Sequence, residues 1–145
     1  MTGTIPPPGA PVRGDATGLV IPADRDALLA AGPAFLTAAF RAFGSLAPDN
    51  AVARITACET CPGGSTGSKL FLSVDYEKPA PGLHGDLFVK FSRDFTDARR
   101  DRGRFELEPE VRFAAISRLP GFPISVPSAC FADYHHDSGT GLIIT

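Results

Sequence analysis

The sequence predicts an α+β fold: a five-stranded antiparallel sheet with one packed helix, preceded by N-terminal helices. Three observations carry this. Apolar residues recur at three- and four-residue spacing before residue 45 and again after residue 107. They alternate with polar residues between those segments and again near residue 145. Glycine-rich stretches separate neighbouring alternating runs, as hairpins require.

Each element has its own warrant. "PADRDALLAAGPAFLTAAFRAFGSL" reads as helix from Leu28, Leu29, Phe35, Leu36, Ala39, Phe40 and Phe43. Gly32-Pro33 divides it in two, with Pro33 opening the second segment. Gly44 is a plausible stop. "AVARITACET" and "LFLSVDYE" read as strands joined over the glycine loop "CPGGSTGSK", and "LFVKF" follows the loop "KPAPGLHGD". A helix is expected from about Leu107, its regular part starting near Glu108 because of Pro109, with Val111, Ala114 and Ala115 on one face. "ACFADYHHDSGTGLIIT" reads as a last hairpin turning at "HHDSGTG". Residues 1–18 are rich in Pro and Gly and lack an apolar stretch, which predicts a disordered tail; residues 19–145 form one unit.

Composition narrows the function classes. With 145 residues, 43% of them hydrophobic, the chain can form one unit with a real core. A formal charge of -2 gives no reason to expect nucleic acid or an acidic membrane. Arg99, Arg100, Arg102 and Arg104 alternate with Asp97 and Asp101 and read as a solvated surface. No apolar run approaches the ~20 residues of a spanning helix, and no signal peptide is visible. Three cysteines suit a reduced cytoplasmic protein better than a disulfide scaffold.

Lysine is the scarce cation. Only Lys69, Lys78 and Lys90 occur among fourteen basic residues, so a lysine inside an apolar run needs a specific explanation. In a strand, Leu87, Val89 and Phe91 share one face, and Phe88 and Lys90 share the other. An ammonium there needs an anion, a carboxylate or an escape to water. A Gly-Gly-Ser-Thr-Gly turn precedes this strand, and a helix with Glu106, Glu108 and Glu110 follows it. Glycine N–H groups can approach phosphate oxygens, a strand lysine can reach them, and a helix carboxylate can hold that lysine.

With "FLTAAFRAFGSL", "GGSTGSKLFLSVDY", "LFVKFSRDF", "EPEVRF" and "VPSACFADYHHDSGTGLIIT", the chain resembles the aminoglycoside phosphotransferase and choline-kinase-like superfamily, especially its ecdysteroid-kinase-like branch. The resemblance implies a protein-kinase-like N-lobe that binds ATP. Lys90 would contact the phosphates and Glu110 would pair with it, with Glu106 as the rival. Gly63, Gly64, Ser65, Thr66 and Gly67 would form a lid over them. It also implies Mg2+ and a small-molecule hydroxyl acceptor, both served by a C-lobe. The family's catalytic loop carries an asparagine shortly after its aspartate. Asn50 is the only asparagine, so "HGD" at His84, Gly85 and Asp86 is read as a loop between strands. No catalytic residue is assigned. The chain is therefore expected to be an N-lobe that a C-lobe should follow, inactive alone. A non-catalytic interaction module, self-associating through an exposed lobe face, is the alternative.

Other motifs are set aside. Cys58 and Cys61 have CxxC spacing, but Cys130, His135 and His136 are too remote in sequence to complete a zinc site convincingly. "GGSTGSK" separates Gly67 from Lys69 and leads to a strand, so it is not a phosphate-binding loop of the GKS/T type. Phe105 and Phe113 are expected in the core.

Overall fold

The computed structural model describes residue 7 and residues 9–145. Five strands, β1 (Val52–Thr60), β2 (Ser68–Tyr76), β3 (Asp86–Phe91), β4 (Phe131–His135) and β5 (Thr140–Ile144), form one sheet. Its order is β1-β2-β3-β5-β4, and every neighbouring pair is antiparallel. The helices are α1 (Arg25–Phe43), α2 (Ala98–Arg102) and α3 (Glu108–Ser117), with a 3-10 segment, Gly103–Leu107, joining the last two.

Period-two alternation gives the sheet two apolar faces. Leu70, Leu72, Val74, Leu87, Val89, Phe91, Leu142 and Ile144 meet Leu28, Leu36, Ala39 and Phe40 of α1. On the opposite face Ala132, Tyr134 and Ile143 meet Leu107, Val111 and Ala114. Phe40, Phe91 and Phe131 are fully buried, and truncating any one to Ala is worth about 3–5 kcal/mol.

Helix α1 forms as its sequence requires. Asp24 caps it by accepting from Ala27 N–H at 2.9 Å, and Gly44, at φ 82°, ends it in the left-handed conformation. Gly32, at φ 65° and ψ -159°, interrupts it before Pro33. By length and composition α1 is apolar enough to cross a membrane, which differs from the sequence expectation. Its buried stripe lies on the sheet.

Three expectations need correction. Phe105 and Phe113 are 47% and 46% exposed rather than core, and Ala115 is exposed too. Val111 and Ala114 already fill the narrow stripe of α3, so their neighbours turn outward; Phe113 instead packs edge-on against Phe122, with centroids 5.6 Å apart.

The third correction concerns residues 9–18 of the expected tail; residues 1–6 and 8 of it lie outside the described residues. Within residues 9–18, Val12 is buried, Arg13 bridges to Val20, and Asp15 N–H donates to the Tyr134 carbonyl at 2.8 Å. The anchor is Asp133, a carboxylate 1% exposed on strand β4. It accepts from the N–H groups of Ala16 (3.1 Å) and Thr17 (2.9 Å) and from the Thr17 hydroxyl. Gly14 permits this approach, because a Cβ there would run into the same carboxylate. A buried charge needs donors, and the Pro/Gly-rich segment supplies backbone ones, a pairing that local composition does not reveal.

Asp133→Ala is expected to cost about 2–3 kcal/mol and free this segment. Denaturant unfolding measures the first. Faster amide exchange at Ala16 and Thr17, with cleavage by trypsin after Arg13, measures the second.

Candidate functional site

Lys90 sits on the α3 face of the sheet. The register places it between Lys69 of β2 and Ile143 of β5. Its Nζ donates to both carboxylate oxygens of Glu110 at 2.8 Å, and its side chain is only 22% exposed. Glu110 is chosen over its neighbours by helix phase. Leu107, Val111 and Ala114 define the buried stripe, and Glu110 lies on its border. Glu106 falls in the 3-10 segment and is exposed. Glu108 is committed elsewhere, to Arg112 at 2.7 Å and to the His136 Nδ1 at 3.1 Å; the Arg112 hydrogen bond above all holds its carboxyl below the usual range.

The glycine loop closes the β1–β2 hairpin. Gly63, Gly64 and Gly67 have φ of 97°, 86° and 55°, all in the region that favours glycine. Gly67 is buried against β3, where a Cβ would run into the Phe91 carbonyl oxygen. Ser68 Oγ donates to the Arg93 carbonyl at 3.2 Å, and the Thr66 methyl rests on Gly103. Ser65 is exposed. The Lys69 amine lies against Gly64, so the loop reaches the row that carries Lys90 through Lys69.

One step along the same face, Phe71 and Phe88 oppose each other with ring centroids 5.7 Å apart, and Phe71 is 54% exposed. Beyond them Ser73 Oγ donates to Asp86 at 2.8 Å. An apolar cavity of about 460 Å³ adjoins this face, lined by Glu110, Phe113, Ala114, Ile143 and Thr145 among others. Lys69, Phe71 and Phe88 were not singled out as site residues from sequence. Their alternation was visible; the register that aligns them was not.

His84, Gly85 and Asp86 lead into β3, with the Tyr76 hydroxyl donating to the His84 carbonyl at 2.9 Å. Asn50 is buried and braces the chain around Lys78, accepting from its N–H at 2.9 Å and donating to its carbonyl at 2.6 Å. Cys58, Cys61 and Cys130 are free thiols, and burial pushes the Cys130 thiol up. His135 Nδ1 lies 2.7 Å from Ser138 Oγ. Among the described residues no three His, Cys, Asp or Glu side chains cluster as a metal would need.

The arginine run departs from a purely solvated surface. Arg99 and Arg102 are exposed, but Arg104 donates to the Ser138 carbonyl at 3.1 Å and lies over the Phe105 ring. Asp101 receives the forked guanidinium of Arg93 at 2.7 and 2.9 Å, joining α2 to the end of β3. Burial opposes the Asp101 charge, but the Arg93 hydrogen bond, the Asp94 N–H and the nearby guanidinium charges outweigh it and lower its pKa.

No family model matches the chain, and no curated protein or solved structure matches it.

Asp101 has a folded pKa below its unfolded value of about 3.9, so its contribution is present above that value and lost as pH falls through the folded pKa. Acid unfolding below about pH 4 should therefore be less steep in Asp101→Ala than in the unaltered chain. That variant should cost about 3 kcal/mol at neutral pH by denaturant titration.

Proposed function

We propose that this chain is the ATP-binding, kinase-like N-lobe of a phosphotransferase acting on the hydroxyl of a small molecule. The observation that carries the reading is the Lys90–Glu110 pair on the sheet face joined to the glycine hairpin. The sequence resemblance supports it, and so does the order of glycine turn, strand lysine and helix glutamate.

In this reading Lys90 donates to phosphate oxygens and Glu110 keeps the amine aimed at them. Backbone N–H groups of residues 63–67 supply further donors. The base lies over Phe88 and Phe71, whose π-faces suit a purine without selecting hydrogen bonds. ATP provides the phosphoryl group. This chain's part is to hold and orient it, since positioning and charge stabilisation are the main protein contributions to such transfers. The Mg2+ implied by the resemblance is not held by a cluster of described residues, so no step is assigned to it. The resemblance assigns the acceptor to a C-lobe.

Isothermal titration with ATP tests this. Lys90→Ala should weaken binding about tenfold or more, and Glu110→Gln by a smaller factor, because one charge-assisted hydrogen bond is worth about 1.5–3 kcal/mol. Equal affinity in Lys90→Ala and the unaltered chain, or no ATP binding at all, would reject the reading.

A second reading, a non-catalytic interaction module, is favoured by one observation. Phe113, Ile116, Leu119 and Ile124 are each 46% to 59% exposed along α3 and the segment after it. Sedimentation with and without ATP separates the two: concentration-dependent assembly indifferent to nucleotide favours the module.

A further inference from the structure

Lys69 stands apart from the other two lysines. Lys78 pairs with Asp49 at 2.9 Å, and Lys90 pairs with Glu110 at 2.8 Å. Lys69 makes no ion pair among the described residues, yet the β2–β3 register sets it directly opposite Lys90. Opposed side chains on one face have Cβ atoms about 4.5–5.5 Å apart, and like charges there repel. Glu110 turns both oxygens to Lys90, so the row holds two ammonium groups and one carboxylate, and that carboxylate is engaged by Lys90 alone. The Lys69 amine also lies against Gly64, where a Cβ would collide with it. The amine and the glycine loop thus converge on one spot, beside a row left with net positive charge.

We infer that Lys69 is a second anion-binding residue, a β2 lysine that binds a polyphosphate chain between the glycine loop and Lys90. The anion bridges the two lysines and screens their repulsion, and Gly64 leaves the amine its room. A chain of two or three phosphates offers each lysine its own phosphate and leaves further oxygens for the glycine loop. The inference rests on the proposed nucleotide site for its setting, but what Lys69 recognises is the polyphosphate rather than the base.

The test titrates the full chain with inorganic tripolyphosphate, ATP and adenosine, using Lys69→Gln, Lys69→Arg and Lys90→Ala. Lys69→Gln should weaken tripolyphosphate and ATP about tenfold, the worth of one charge-assisted hydrogen bond, and leave adenosine unchanged. Lys69→Arg should restore most of the loss. Unliganded Lys69→Gln should melt no lower than the unaltered chain, since it removes a repulsion. Tripolyphosphate binding unchanged in Lys69→Gln, or absent altogether, overturns the inference. ATP affinity that depends on Lys90 and not on Lys69 overturns it too, while leaving the nucleotide reading standing. Lys69-dependent tripolyphosphate binding with no gain from the adenosine moiety does the reverse.

Discussion

An ammonium on a sheet face must find a carboxylate, and the contact of Lys90 with Glu110 is where that demand joins the sheet to α3. The pair adds little stability by itself, because the Glu110 side chain is 53% exposed and water screens the attraction. Its importance is geometric. To bring Glu110 over β3, α3 must begin at Glu108 with Leu107, Val111 and Ala114 turned inward. The 3-10 segment and the Arg93–Asp101 fork set that phase from the end of β3 itself. Behind the lysine, Val89 and Phe91 are packed against the α1 side of the sheet, so β3 is held from both faces.

Much of the fold was legible because its elements use different periods. The break at Gly32-Pro33, the stop at Gly44 and the start of the regular helix near Glu108 all follow from residues with restricted backbones. The five strands and their antiparallel hairpins follow from alternation and glycine-rich turns. What escaped was long-range. The segment around residues 12–18 lacks any pattern of its own and is ordered by a carboxylate more than a hundred residues away. Phe105 and Phe113 looked like core by type, but α3 has room for only a narrow stripe.

The geometry of the candidate site was legible in part for the same reason. Lys90 was conspicuous as a rare lysine in an apolar strand, and Glu110 was one of two acids within reach. Choosing between the acids required the helix phase, which Pro109 blurred. Lys69, Phe71 and Phe88 depended on pairing β2 with β3 across residues 77–85. A two-residue turn would have fixed that register; a nine-residue connection does not. One residue of slip would place Leu70 and Leu72 on the charged face. Only the full apolar complement of α1 forbids it.

The Asp133 anchor has a temporal consequence. Its donors at Ala16 and Thr17 are made early during synthesis, while their acceptor arrives 117 and 116 residues later. At about 5–20 residues per second, the early segment waits several seconds on the ribosome before its counterpart exists. The contact is one of high sequence separation, the kind that forms late in assembly. Once β4 is made, its outer border stays open to a neighbouring strand until that early segment docks along it.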